Sequence, residues 1–233
     1  MKKEKNKRIR RRGHGFFKGF LKIFIRKPRY IYIGEKITTP SIILSNHVGK
    51  KAPLAYECYP PVPFRFWGTH EMNEGLGSVY KYLSEVFYHE KQHWNLFLAR
   101  LFCIIAAPLT NMFYRGLNLI STYKDYRFKN TIQESVKTIQ EGTSIIIFPE
   151  DSSEGYFDNL KAFWGGFVVL AHTCYKKGID VPICVTYYRK KDKTVIVDKP
   201  MKFSELIKDG FDRNKIAELL CNRANEIKDY KAQ

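Results

Sequence analysis

A histidine and a glutamate each follow a short apolar run of this chain. Ser41–Ser45 leads into His47, and Ser144–Phe148 leads into Glu150 about a hundred residues later. Because histidine titrates near neutrality, a neutral imidazole can take the proton of a hydroxyl group at physiological pH. A carboxylate can orient such an imidazole or accept hydrogen bonds from a substrate. The two residues are therefore candidates for general-base chemistry on a hydroxyl.

The pattern around these residues predicts an α/β domain. Apolar runs predict strands, and they cover Tyr30–Ile33, Ile42–Ser45, Leu117–Thr122, Ser144–Phe148, Ile183–Tyr188 and Thr194–Val197. Phe128–Gln140 and Asp212–Lys228 have apolar residues at helical spacing, and Leu160–Lys177 reads as a buried helix. Strands alternating with helices predict a mixed, largely parallel sheet flanked by helices. Ligands bind beyond the carboxyl ends of parallel strands, so both loops are expected to open on one edge.

In their order and spacing, several motifs resemble those of the glycerophospholipid acyltransferase family, typified by bacterial lysophosphatidic acid acyltransferases. Ser45-Asn46-His47 is similar to the first family motif, N-H-x-S-x-x-D, and Phe148-Pro149-Glu150 to the third, F-P-E-G-T-R-S. Three further segments resemble the second motif, the fourth motif and the F-K-x-G-A helix; they are Leu117–Lys124, Val181–Ile183 and Phe163–Ala171.

The resemblance implies transfer of a fatty acyl group to the hydroxyl of a lysophospholipid-like acceptor, as in phospholipid biosynthesis. Acyl-CoA or acyl-carrier protein would be the co-substrate, and neither a cofactor nor a metal is implied. His47 would be the general base. Glu150 would help to hold the acceptor, and Lys124 and Arg115 would bind its phosphate. Asn46 and Ser152, within the motifs, would also bind substrate.

The chain departs from the family pattern at the catalytic carboxylate. The family has Asp five residues after the histidine, whereas position 52 here is Ala. Losing such a partner can cost a factor as large as ~10⁴ in rate. Asp151 and Glu57 are candidate replacements, and Asp151 is favoured because its loop should share a sheet edge with His47. The alternative is a catalytically impaired, lipid-binding protein of the same family.

His89-Glu90-Lys91-Gln92-His93 matches the H-E-x-x-H pattern of zinc proteases. Lys91 is a charge where such helices are normally uncharged, and no third ligand can be singled out. We therefore interpret the segment as an exposed polar link into the apolar stretch Trp94–Phe113.

The stretch Trp94–Phe113 predicts a buried or membrane-facing helix. Its charge-free part is too short to span a bilayer, and Pro108 is expected to break or kink it.

The composition describes one globular domain preceded by a basic segment. The 233 residues are 44% hydrophobic, which excludes a disordered chain, and the five cysteines form no C-x-x-C pair, which argues against a disulfide framework. Of the net charge of +17, residues 1–29 carry +12. We therefore place a membrane-surface segment at 1–29 and the acyltransferase-like domain at 30–233.

The N-terminal segment predicts a basic amphipathic helix lying on a membrane surface. Its apolar residues recur at helical spacing and its lysines lie on another face; the membrane-binding candidates are Phe16, Phe17, Phe20, Leu21, Phe24, Lys18 and Lys22. Pro28 is expected to end the helix. We predict a peripheral protein on the cytoplasmic face of a membrane.

A third function, besides acyl transfer and lipid binding, would be nucleic-acid binding by the basic tail. It is disfavoured because the other 204 residues carry a net charge of only +5.

Overall fold

The computed structural model describes residue 15 and residues 18–49, 51–151, 155–208 and 210–231. The chain divides into two compact units. The major unit contains residues 22–65 and 132–233, and the minor unit contains residues 1–21 and 66–131. The predicted boundary after residue 29 is not one of these divisions, and it stays a prediction.

The elements of the described chain alternate between strands and helices. The strands are β1 (Arg29–Tyr32), β2 (Ile42–Ser45), β3 (Phe64–Thr69), β4 (Ile120–Thr122), β5 (Ser144–Ile147), β6 (Pro182–Arg189), β7 (Thr194–Val197) and β8 (Met201–Lys202). The helices are α1 (Lys51–Cys58), α2 (Leu76–Lys81), α3 (Leu96–Leu117), α4 (Phe128–Gln140), α5 (Gly166–Lys176), α6 (Phe203–Lys208) and α7 (Arg213–Ile227). Residues 18–24 are also helical, and a π-helix over Tyr82–Lys91 continues α2.

The sheet of the major unit is mixed and largely parallel, as predicted. Its strand order is β1-β7-β6-β2-β5, with β8 paired to β6. β2 pairs in parallel with β5 and β6, and β1 pairs in parallel with β7. The antiparallel pairs join β6 to β7 and to β8. The residues of β2, β5 and β7 are buried throughout, which explains why these strands read as unbroken apolar runs.

The minor unit contains a parallel pair of strands and a pair of packed helical segments. β3 enters it from the major unit and pairs in parallel with β4, with Trp67 opposite Ile120. α3 packs against α2 and the π-helix through a buried stripe that includes Ala99, Cys103 and Ala107. By length and composition α3 is also long and apolar enough to cross a membrane, and 22% of its most apolar window is buried.

Three predicted elements differ from the structure. α3 continues through Pro108, so the helix is not broken there. The predicted strand at Leu117–Thr122 begins only at Ile120, since α3 extends to Leu117. The predicted helix at Leu160–Lys177 begins only at Gly166, because Phe163 forms a bridge with Glu150. The strand β3, the helix α2 and the π-helix were not predicted from the sequence.

Candidate active site

His47 and Glu150 lie beyond the carboxyl ends of two neighbouring parallel strands. β2 ends two residues before His47, and β5 ends three residues before Glu150. The register pairs Leu44 with Ile147, so the two loops leave the sheet at the same level. The backbone N–H of His47 donates a hydrogen bond of 2.9 Å to Oε2 of Glu150. Two residues 103 positions apart are thus joined directly, at the edge where an α/β sheet binds ligands.

Asn46 fixes the histidine loop to the third strand of this edge. Its Oδ1 accepts a hydrogen bond of 2.6 Å from the backbone N–H of Tyr188, and its Nδ2 donates one of 3.0 Å to the carbonyl of the same residue. The side chain is buried, so both bonds are shielded from water. In this arrangement Asn46, predicted to bind substrate, positions the loop through the backbone of β6.

The turn after His47 has a strained backbone. Val48 has φ of 44° and Gly49 has φ of 61°, so both residues adopt left-handed conformations. This region is open to glycine but is an outlier for a β-branched residue such as valine. Strain of this kind persists where the surrounding structure imposes it, often at functional sites. The two anchors of the loop, at Asn46 and at Glu150, provide that constraint.

A buried hydroxyl network lies beneath the loop. The hydroxyl of Tyr56 lies 3.2 Å from Ser45 Oγ and 2.6 Å from Thr186 Oγ1. Thr186 Oγ1 donates to the carbonyl of Leu44 at 2.9 Å. The network ties α1 to β2 and β6, and its desolvation raises the pKa of Tyr56 far above the usual range. Tyr56 therefore stays neutral and serves as a support for the strand end.

Glu150 is a buried carboxylate held by backbone groups. Burial raises its pKa, while hydrogen bonds from the backbone N–H groups of His47 and Phe157 oppose that shift. Its own backbone is held in a short ladder, because Asp151 N–H donates to Ala162 and Trp164 N–H donates to Pro149. Glu150 therefore combines a fixed position with an elevated proton affinity.

Aromatic rings surround the imidazole of His47. The ring of Tyr156 stacks on it with centroids 5.0 Å apart and planes inclined by 20°, and the ring of Phe148 meets it edge-on, also at 5.0 Å. Nδ1 of the imidazole is buried. Sequence reasoning missed Tyr156, although its position six residues after Glu150 in the same loop was a usable signal. The two rings fix the plane of the imidazole.

The candidate carboxylates for orienting His47 lie in different surroundings. Ala52, at the position of the family's Asp, is fully buried in α1. Glu57 is buried in the same helix, and Asp151 is partly exposed beside Glu150. The carboxylate of Glu150 accepts a hydrogen bond from the backbone N–H of His47. Whether Asp151 acts in catalysis stays a prediction.

The remaining predicted site residues stay predictions. Lys124 and Arg115 are exposed residues of the minor unit. Ser152, Phe16 and Phe17 lie outside the described residues. Within the helical residues 18–24, Phe20 and Phe24 are exposed, Leu21 and Lys18 are partly exposed, and Lys22 lies 5.1 Å from the ring of Tyr59.

Among the described residues, no group of three or more His, Cys, Asp or Glu side chains could hold a metal ion. In the H-E-x-x-H segment, Nδ1 of His89 lies 2.8 Å from the carbonyl of Trp94, and the segment is exposed. A cavity of about 430 Å³ in the major unit is lined by Thr39 and Ser41, before β2 begins, and so lies away from His47.

The fold is similar to that of a known acyltransferase. The crystal structure of the 1-acyl-sn-glycerophosphate (LPA) acyltransferase PlsC from Thermotoga maritima matches 99% of this chain and 85% of that chain. The TM-score is 0.51 and the sequence identity 13%. No protein-family profile matches the chain, and no curated protein sequence matches it. The likeness therefore lies in the fold, a mixed α/β architecture of the PlsC acyltransferase type.

Proposed function

We propose that this protein is a membrane-associated acyltransferase that acylates the hydroxyl group of a lysophospholipid-like acceptor. The observation that carries the proposal is the hydrogen bond between His47 and Glu150 at the carboxyl edge of the sheet. The PlsC-like fold adds support, since it is the fold of an enzyme that transfers acyl groups to a glycerophosphate. The acyl donor is a thioester, either acyl-CoA or acyl-carrier protein.

The reaction begins with the imidazole of His47 accepting the proton of the acceptor hydroxyl. The oxygen then attacks the thioester carbonyl and forms a tetrahedral intermediate. The attack makes the new C–O bond; when the intermediate collapses, the carbonyl group re-forms, the C–S bond breaks, and the leaving thiolate takes the proton held by the imidazole.

The surroundings of His47 suit it to this role without a neighbouring Asp at position 52. The stack on Tyr156 and the edge contact with Phe148 hold the ring plane, which is one of the two tasks of the family's carboxylate. The other task, stabilising the imidazolium, belongs to a carboxylate, and we assign it to Asp151. Glu150 lies beside the histidine backbone, and we assign to it a hydrogen bond from the acceptor.

The sharpest test is acyl transfer by the purified full-length chain. Radiolabelled acyl-CoA and acyl-carrier protein are offered with a panel of lysolipids, and the labelled product is separated by chromatography. We expect His47→Ala to lower the rate by about 10²- to 10⁴-fold, since that is the usual contribution of a general base. His172→Ala is the matched control, because His172 lies on α5 and contacts Phe203. A rate in His47→Ala equal to that of the parent chain contradicts the mechanism.

A second measurement identifies the carboxylate partner. Asp151→Asn should abolish most of the activity of the parent chain if Asp151 stabilises the imidazolium. Ala52→Asp should raise the rate if the site is a weakened form of the family's site. Circular dichroism checks that the second variant folds, since position 52 is fully buried. An unchanged rate in Asp151→Asn excludes this residue from the reaction.

The alternative function is binding of a lysolipid without turnover. It is favoured by the buried Ala52 in place of the family's Asp. It predicts that the full-length chain binds a radiolabelled lysolipid, that Glu150→Gln weakens the binding, and that no labelled ester forms with either donor.

A further inference from the structure

The most unusual surface of the described chain is the outward face of α3. Eight large apolar side chains of this helix are exposed, and Phe97, Ile105 and Ile104 are 73%, 72% and 61% accessible to solvent. Soluble proteins rarely expose contiguous apolar patches larger than a few hundred Å². A surface of this composition is stable only when another apolar phase covers it.

The side chains of α3 are distributed as in a membrane-embedded helix. The buried stripe is made of small residues, among them Ala99, Cys103 and Ala107, whereas the large aliphatic and aromatic residues point outward. Close packing through small residues, with large apolar residues facing the surroundings, is typical of helices in lipid. Between Leu96 and Leu117 the helix has no acidic residue.

Both ends of α3 carry residues that favour the boundary between lipid and water. At the N-terminal end of α3, the exposed Trp94 packs with Tyr88, with ring centroids 4.8 Å apart. Tyr114 and the exposed Arg115 lie at its C-terminal end. Trp and Tyr are enriched at membrane interfaces, and cations there are attracted to anionic headgroups. These flanks favour a bilayer as the occupant of the apolar face over a second protein.

The charged residues on and beside α3 decide whether the helix crosses the bilayer or lies parallel to its surface. Arg100 pairs with Glu85 at 3.0 Å, the hydroxyl of Tyr80 donates to the carbonyl of Arg100, and Lys81 is exposed. If α3 crossed the bilayer, these charges would enter the hydrocarbon together with it, at considerable cost. With α3 parallel to the surface, the charged segment Leu76–Lys91 remains on the water side.

We infer that α3 lies in the plane of the membrane, with its apolar face buried in one leaflet. The helix thus makes the chain a monotopic membrane protein, anchored at a site other than the basic N-terminal segment. The inference goes beyond the proposed function, because it holds whether or not the chain transfers an acyl group. The two fail separately, since insertion is measured without any substrate.

The test uses the full-length chain on vesicles of neutral phosphatidylcholine at about 0.5 M salt, where attraction of the basic segment to lipid is screened. A fluorophore is attached to Ile105→Cys, and the five native cysteines, all buried, are a low background. We expect its fluorescence to be quenched most by lipids carrying a nitroxide near the headgroup. The control label at Tyr126→Cys, also exposed and in the same unit, should not be quenched.

Two further measurements separate the alternatives. His93→Cys and Tyr126→Cys, beyond the two ends of α3, should both react with a membrane-impermeant maleimide outside sealed vesicles, whereas protection of one of them until detergent is added would show that α3 spans the bilayer. The double variant Leu101→Glu and Ile105→Glu should reduce vesicle binding by about 100-fold, since two apolar side chains no longer enter lipid. Tyr126→Glu is its control. A stable dimer in light scattering that the double variant dissolves, without vesicle binding by the parent chain, would assign the face to a second copy.

Discussion

His47 is held by its backbone and by ring contacts together. Its N–H is bonded to Glu150, its ring is stacked on Tyr156, and the residue before it is bonded to β6. A histidine fixed in this way loses little rotational freedom when a substrate binds. For general-base catalysis this matters because the imidazole must stand within hydrogen-bond reach of the hydroxyl.

The stack on Tyr156 should be measurable as an effect on kcat. Aromatic stacking of this kind is worth about 0.5–1.5 kcal/mol. Tyr156→Ala should therefore lower kcat by about two- to twelvefold, because the imidazole is less often in the productive orientation. Tyr156→Phe retains the ring and should stay near the parent rate. Equal losses in the two variants would show that the hydroxyl, rather than the ring, is what matters.

Glu150 should make the stability of the fold depend on pH in an identifiable direction. Because burial raises its pKa above the usual 4.5, the folded state binds more protons than the unfolded state just above that pH. The free energy of unfolding therefore falls as the pH rises from about 4.5 through the raised value. Glu150→Gln cannot titrate and should lack this component.

Urea unfolding of the parent chain and Glu150→Gln across acidic and neutral pH checks this prediction. The stability of the parent relative to the variant should decline over that window and then level off. A relative stability of the parent that rises with pH would mean that the two backbone N–H groups outweigh burial.

At the scale of elements, two asparagine side chains clamp loops of the major unit, one to a strand and one to a helix. Asn46 makes two hydrogen bonds with the backbone of Tyr188, and Asn225 of α7 makes two equivalent bonds with the backbone of Leu160. Removal of such a clamp leaves a buried N–H and a carbonyl without their partner, which costs about 1–3 kcal/mol for each unsatisfied group.

The two clamps provide a matched comparison. Asn46→Ala and Asn225→Ala should each lower the free energy of unfolding by about 2–4 kcal/mol. Asn46→Ala alone should also lower kcat strongly, because the loop that carries His47 is released from β6. Equal kcat losses at matched stability would show that the loop of His47 does not depend on Asn46. Denaturant unfolding and steady-state kinetics are the two measurements.

The elements that sequence predicted best are those whose pattern is local. β2 and β7 were predicted with their exact bounds, because a continuous apolar run bounded by polar residues describes a strand buried on both faces. α4 was likewise predicted exactly, since its apolar residues keep helical spacing along one face. The motif loops could be assigned to one sheet edge because parallel strands end together.

The features that sequence missed depend on contacts between distant residues. Gly166 begins α5 only because Phe163, three residues earlier, is held by a bridge to Glu150. The stack of Tyr156 on His47 joins residues 109 positions apart, and no periodic pattern in the sequence predicts this contact. The outward face of α3 reads like a core helix in sequence, because an apolar stretch carries no mark of whether protein or lipid will cover it.

At the scale of the whole molecule, two kinds of membrane attraction are encoded in different parts of the chain. Residues 1–29 carry 13 basic residues and one acidic residue, whereas α3 presents apolar side chains and almost no charge. The first attraction is electrostatic and acts on anionic lipid; the second is hydrophobic and is indifferent to headgroup charge. Salt and lipid composition should therefore separate them.

The electrostatic and the hydrophobic attraction should respond differently to salt. On vesicles containing anionic lipid, binding of the full-length chain should weaken by at least about tenfold when salt rises from about 0.1 M to 0.5 M, because each Lys or Arg near the surface contributes roughly 1 kcal/mol at low salt. Replacing the eight basic residues among positions 2–12 by Gln should remove most of this dependence. Binding to neutral vesicles should be unchanged by that replacement, because it rests on α3. Vesicle co-sedimentation measures both quantities, and a salt dependence that persists after the replacement would place the electrostatic contact elsewhere on the molecule.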